Sequence, residues 1–158
     1  MLGHTHAAIG ALVGLSVAQA TGAPGLLLMA AGGAAALLPD IDHPRGALRR
    51  RLGIAGHVGL FWLSHRGITH TALALALVAA GAWYLAPGPL ALAVAAGYAS
   101  HLLADMLTPA GLPVLWPVYR NNLHLAPALL RVRTNSITEQ IIAIALFALV
   151  TTALLHHP

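Results

Sequence analysis

Cysteine and lysine are absent from the 158 residues, and carboxylates number four. Without cysteine there are no disulfide staples and no thiolate metal ligands, so any metal site must use nitrogen and oxygen donors. Charged residues make up 8% of the chain, against about 25% in an ordinary soluble domain. A basic leader is lacking too. Met1–His6 carries no arginine, so the apolar run 7–17, although followed by the small-residue triplet Ala18-Gln19-Ala20, reads as a structural helix rather than a signal peptide.

Apolar residues reach 58% and the mean hydropathy is +0.79, which is membrane composition. A hydrocarbon core of about 30 Å takes about 20 mainly apolar residues per helical crossing. The expected architecture is all-α, a polytopic membrane helical bundle forming a single domain over 1–158. Apolar helices are expected at 7–21, 24–38, about 69–85, about 90–107, and from Ser136 or Thr138 to about 155. The first two are short for a full span, so they tilt or form a re-entrant hairpin. Thr21–Gly25 and Pro87-Gly88-Pro89 supply turns, and Ser136-Ile137-Thr138-Glu139 supplies a helix start. The stretch 39–68, with Pro39, Pro44 and four arginines at 45–51, reads as a polar-face loop carrying an interfacial helix at 46–63. Residues 108–138 are too broken by proline to span.

Alternate threading of five helices puts the N-terminus, 39–68 and 108–138 on one side. All eight arginines fall there, so the positive-inside rule makes that side cytoplasmic and the expected location a multi-pass protein of the plasma (inner) membrane.

The same side collects the acids. Asp40, Asp42, Asp105 and Glu139 each stand at that end of an apolar segment, in company with His6, His65, His70 and His101. In Leu38-Pro39-Asp40-Ile41-Asp42-His43-Pro44 the prolines favour an extended chain that would turn positions 40 and 42 the same way. Neighbouring carboxylates repel unless a cation or proton intervenes, although Arg45 or Arg49 could also pair with them. His101-Leu-Leu-Ala-Asp105 has i, i+4 spacing on one helical face, and an ionised aspartate in an apolar helix costs about 2.5–3.5 kcal/mol on insertion scales. Such a pair calls for a partner, a metal before a plain His–Asp hydrogen bond. His65 and His70, five apart, lie about 140° apart on a straight helix, and Gly67 could bend them together. Arg66 between them is a candidate anion clamp. Glu139 also suits the helix macrodipole, and His4 a solvated terminus. His43, His57, His124, His156 and His157 lie in loop or terminal regions without a paired acid at metal-ligand spacing and read as surface residues.

Eight candidate ligands, His6, Asp40, Asp42, His65, His70, His101, Asp105 and Glu139, suffice for two ions when a carboxylate bridges. Imidazole with carboxylate suits zinc first, with manganese or iron also compatible.

At these motifs the chain resembles the YdjM-like family of membrane-bound, predicted metal-dependent hydrolases. The matching pieces are Thr5-His6, Leu38–Pro44, His65-Arg66-Gly67-Ile68-Thr69-His70, and Gly97-Tyr98-Ala99-Ser100-His101-Leu102-Leu103-Ala104-Asp105 running on to Thr108-Pro109 and Trp116-Pro117. That family is distantly similar to the zinc-dependent phospholipase C and single-strand nuclease superfamily, whose sites include a His-x-x-x-Asp pair. The resemblance implies metal-assisted phosphoester hydrolysis, with His6, Asp42, His65 or His70, His101, Asp105 and Glu139 at ligand positions and Asp40 a ligand or base. Those soluble enzymes also use an N-terminal amino group and further histidines after the pair; here only His124 follows before the last helix.

The expected activity is therefore hydrolysis of a phospholipid or lipid-linked phosphate by metal-activated water. Asp40 and Arg66 are the catalytic candidates, and Arg66, Arg120, Arg131 and Arg133 would hold the anion. Zinc, a lipid substrate and the bilayer are the expected partners; no protein partner is implied. An intramembrane metalloprotease is disfavoured by the absence of His-Glu-x-x-His. A metal or proton transporter would place acids in both halves of the helices. A nucleic-acid-binding protein using 45–51 would show strongly salt-dependent binding without turnover.

Overall fold

The computed structural model describes residues 1–42 and 68–156, with side chains described for 1–40 and 68–155. Among the described residues five α-helices form the fold: α1 (Gly3–Thr21), α2 (Gly25–Ala35), α3 (Ala72–Leu85), α4 (Pro89–Met106) and α5 (Ile137–His156). The interfacial helix expected at 46–63 lies outside the described residues.

Each helix boundary has a local cause. Gly22, at φ 68°, takes the left-handed conformation that ends α1, and its N–H returns to the Ala18 carbonyl. Thr71 caps α3 by accepting from Ala74 N at 3.1 Å. Gly88, at φ 105°, turns the chain into α4, where Pro89 occupies the first turn without breaking a bond. Ser136 Oγ accepts from Glu139 N at 3.2 Å to start α5.

Small residues let three helices approach closely. Gly10 and Gly14 of α1 face Gly32 and Leu28 of α2, and a Cβ added to Gly10 would lie 2.5 Å from the Ala36 Cβ. Gly97 of α4 meets Gly32 from the other side, where an added Cβ would sit 2.8 Å from the Gly32 Cα. At these glycines the α1, α2 and α4 backbones meet without intervening side chains, the packing that apolar media favour because backbone proximity replaces hydrophobic drive, and Ala18, Leu28 and Ala93 fill the rest of the contact. Helix α3 packs on α4 through Tyr98 and Leu102, with Leu75, Val78 and Leu112 around them.

The surface is apolar. Leu77, Tyr84, Leu85, Ile141, Ile144 and Leu155 are all exposed, whereas His6, His70, His101, Asp105 and Glu139 are buried. Among the described residues, Ile137–Leu155 is the helix long and apolar enough to cross a membrane; Gly25–Asp40 and Ala72–Leu85 are apolar but shorter.

Two segments depart from simple helices. Leu38–Asp42, expected to be extended, is a 3-10 turn. Its fixed proline φ fits a first helical turn as readily as an extended chain, and Asp40 N closes the turn on Leu37 O at 3.2 Å. The shared facing that an extended chain would give positions 40 and 42 therefore does not follow. Residues 107–136 fold back across the helix ends, held by an isolated bridge between Leu112 and Leu123 and by a short 3-10 turn, Ala128–Leu130.

Candidate metal centre

The up-and-down path brings the start of α1, the end of α2, the start of α3, the end of α4 and the start of α5 together. Leu2 N donates to Glu139 Oε1 at 2.6 Å, joining α1 to α5. His101 Nδ1 contacts the Ala36 carbonyl at 2.7 Å, joining α4 to the end of α2. Tyr98 Oη donates to Thr69 O at 2.5 Å, joining α4 to the 3-10 turn Ile68–His70 that precedes α3.

The glycine contacts below set the depth of the histidines. His6 stands one turn from Gly10, Ala36 one turn from Gly32, and His101 one turn from Gly97. Close packing of the three backbones therefore continues into a stack of His6 on His101, with ring centroids 3.7 Å apart and planes inclined by 18°. The His70 ring meets His101 edge-on at 5.3 Å.

Two carboxylates complete the cluster. His6 Nε2 lies 3.2 Å from Asp105 Oδ1, and His101 Nε2 lies 3.9 Å from Asp105 Oδ2. Asp40 Oδ1 is 3.6 Å from His70 Nε2 and 3.9 Å from His101 Nε2. The Met1 amino group pairs with Asp105 as well. Two overlapping groups, His6/Asp40/His101 and His70/His101/Asp105, keep their ligand atoms within 4.8 Å of one another.

These distances fit a metal. With ligand bonds of about 2.1 Å, tetrahedral donors stand roughly 3.4 Å apart, and the observed separations bracket that value. The donor chemistry agrees. A carbonyl can only accept, so His101 Nδ1 carries a proton toward Ala36 and the neutral ring presents its lone pair at Nε2. His70 Nδ1 contacts Thr69 Oγ1 at 3.0 Å, which orients the ring with its Nε2 toward Asp40. Among the described residues, the Nε2 atoms of His6, His70 and His101 are buried without a hydrogen-bond partner; His6 approaches Asp105 closely, but not in hydrogen-bonding alignment. An unsatisfied buried polar group costs about 1–3 kcal/mol. Three converging on two carboxylates are the arrangement a cation would satisfy.

Asp40 differs from the others in reaching solvent: its side chain is 29% exposed, against 0–2% for the three histidines and Asp105.

The remaining candidates fall elsewhere. Glu139 is buried and outside both groups; its oxygens accept backbone N–H groups, Oε1 from Leu2 and Oε2 from Asn135 at 2.5 Å. His4 faces Phe147, with ring centroids 6.3 Å apart, and His124 faces the Pro109 carbonyl at 3.2 Å. Arg131 and Arg133 line a cavity with Ser136 and Thr138, and Arg120 is exposed in the same returning segment. His65, Arg66 and the Asp42 side chain lie outside the described residues. Sequence reasoning missed the outer layer, namely the Ala36 carbonyl, Thr69 and Tyr98. Thr69 and Tyr98 do sit in the motifs around His70 and His101, but a backbone acceptor such as Ala36 has no residue type to betray it.

Comparison with known proteins places the chain in a family. The model of the YdjM inner membrane protein family matches residues 1–157. Inner membrane protein YdjM of Escherichia coli (strain K12) is 42% identical over 119 residues, covering 70% of this chain and 58% of the relative, and its Shigella flexneri counterpart gives the same values. The match thus spans little more than half the length of those relatives. YvsG of Bacillus subtilis (strain 168) is 30% identical over 144 residues, covering 90% of this chain and 87% of that protein. No solved structure matches. The chain belongs to the YdjM inner membrane protein family, and its place is the membrane.

Proposed function

From that membership we propose that the chain is a multi-pass membrane hydrolase that cleaves a phosphoester of a phospholipid or lipid-linked phosphate at a metal centre on the cytoplasmic face. The observation that carries the proposal is the convergence of three buried imidazole nitrogens, none with a hydrogen-bond partner among the described residues, on Asp40 and Asp105 at one end of an apolar bundle.

Multi-pass insertion is supported by helix lengths. The 19 residues of α1, the 18 of α4 and the 20 of α5 extend about 27–30 Å, close to the hydrocarbon thickness. Leu92 and Leu103 of α4 and Ile141, Ile144 and Leu149 of α5 are exposed, and the cluster's polar groups sit inward at one end. Arg120, Arg131 and Arg133 lie on the segment that folds over that end, which supports a cytoplasmic orientation.

His6, Asp40, His70, His101 and Asp105 would hold the metal, with zinc the best match to imidazole and carboxylate donors. When bound, such an ion supplies Lewis acidity toward a phosphoryl oxygen and acidifies water. The chain's own groups do the rest. Ala36 and Thr69 fix the orientation of His101 and His70. Asp40, facing both the cluster and solvent, accepts a proton from water. Arg66, Arg120, Arg131 and Arg133 are the anion-holding candidates; guanidinium groups suit phosphate because their donors match its oxygens in pairs. The collection of acids at one end is the wrong distribution for a transport path through the bilayer.

The test is release of phosphate or of a phosphorylated headgroup from lipid phosphates in mixed micelles by zinc-reconstituted protein. Turnover lost on chelation and in Asp40→Asn supports the proposal. Metal-loaded wild type that turns over no member of a broad lipid-phosphate panel, yet moves the ion across a liposome membrane, rejects it.

A further inference from the structure

The segment 107–136, which carries three of the anion-holding candidates, also has features that hydrolysis does not require. It lies over the same helix ends as the cluster: Leu125 N donates to Met106 O, Val132 N to Leu107 O, and Ala72 N to Val114 O, at 2.8–3.0 Å. It contains Arg120, Arg131 and Arg133, and no carboxylate occurs between Asp105 and Glu139. Beside these cations it exposes apolar side chains almost completely, Leu129 at 98% and Val118 at 94%. Trp116 and Tyr119 are exposed on it as well. Arg131, Arg133, Ser136 and Thr138, with Leu129 and Leu130, line a cavity of about 370 Å³.

Neither water nor hydrocarbon suits that surface. Water penalises the exposed leucines, and hydrocarbon penalises the guanidinium groups and irregular backbone. The headgroup layer accommodates both, and it is where tryptophan, tyrosine and snorkelling arginine concentrate. Three cations on a segment with no carboxylate of its own, set beside a cavity bearing two guanidinium and two hydroxyl groups, complement a phosphodiester of negative net charge.

We propose that residues 109–136 form an interfacial element that selects anionic phospholipid, seating one lipid phosphate in the Arg131–Arg133 cavity with its acyl chains along Leu129 and Leu130. The element holds the mouth of the metal centre at the depth of the lipid phosphates and enriches anionic lipid there. The inference rests on the chain being embedded in a bilayer, but it needs neither metal nor turnover.

Tryptophan quenching by brominated lipid tests it in the full chain. With Trp62→Phe and Trp83→Phe, Trp116 is the sole tryptophan. The protein is reconstituted in phosphatidylcholine vesicles containing equal minor fractions of brominated phosphatidylglycerol or brominated phosphatidylcholine. Trp116 is expected to be quenched more by the anionic lipid, and the preference should fall about fivefold with Arg133→Gln, the effect of one basic residue near a charged membrane surface. Inorganic phosphate should not displace the lipid. Arg131 also donates to Ala126 O at 3.0 Å, so the wild-type headgroup comparison and Arg133→Gln carry the test. Equal quenching by both lipids, or displacement by inorganic phosphate, overturns the proposal and leaves the hydrolase reading standing. A sole-Trp83 chain, reporting from the opposite end of the bundle, serves as control. If it is quenched while Trp116 is not, the segment faces water and the inference falls; if neither is quenched, the bilayer reading falls with it.

Discussion

Replacing Glu139 separates two roles that a buried acid at this position can play. As a metal ligand, its loss would remove metal. In the structure its two oxygens instead accept from Leu2 N and Asn135 N, at 2.6 and 2.5 Å, clamping the start of α1 to the start of α5. A hydrogen bond to a charged group contributes about 1.5–3 kcal/mol, and leaving a buried donor unmade costs a similar amount. Glu139→Gln keeps one neutral acceptor and turns a donor toward a donor, so we expect it to destabilise the protein by about 2–4 kcal/mol. Glu139→Ala, which leaves both N–H groups without the carboxylate, should cost about 3–5 kcal/mol. Denaturant unfolding in detergent measures the stability, and elemental mass spectrometry on the folded fraction measures metal. The clamp predicts a less stable variant that fills at saturating metal. A Glu139→Gln protein as stable as wild type but unable to hold metal would refute the clamp and make Glu139 a ligand.

Packing below the cluster gives a paired prediction. Gly97→Ala places a Cβ 2.8 Å from the Gly32 Cα and should cost about 3 kcal/mol or more, with metal binding impaired one turn away at His101. Gly81→Ala on α3 meets nothing within 4 Å and should be neutral or stabilise by about 0.5–1 kcal/mol; thermal unfolding of both variants checks the contrast. Tyr98→Phe removes the hydroxyl that anchors Thr69 beside His70, and is expected to cost about 1–2 kcal/mol in stability and about tenfold in metal affinity, read by metal titration. Chelation should lower the thermal midpoint, because metal at a hundred times its Kd adds about 2.7 kcal/mol. The shift should vanish in His101→Ala.

The helices and their common end were legible because the signals are local. Gly22, Gly88-Pro89 and Ser136-x-x-Glu139 stop and start helices through their own backbone chemistry, and five apolar runs separated by such breaks leave alternate threading as the simple path. His6, Asp40, His70, His101 and Asp105 were legible because a charged or imidazole side chain in an apolar run requires a partner. The turn at Leu38–Asp42 was misread as extended because Pro39 fixes only its own φ, and that value is shared by extended and 3-10 chains. Glu139 was read by residue type as a ligand candidate, whereas its hydrogen bonds depend on Leu2, 137 positions away. The Gly10, Gly14, Gly32 and Gly97 contact, which sets how closely His6 and His101 stack, spans three helices; its spacing shows only when the helices are placed side by side.

The most direct test of the account is metal content, by elemental mass spectrometry, of detergent-purified wild type beside His101→Ala and Asp105→Ala variants that remain folded, each reconstituted with zinc or manganese. The account predicts at least stoichiometric metal in wild type and its loss in both variants, since His101 is shared by both ligand groups and Asp105 faces His6 and His101. Wild type that stays metal-free after both reconstitutions, with the cluster's imidazoles intact, would contradict it.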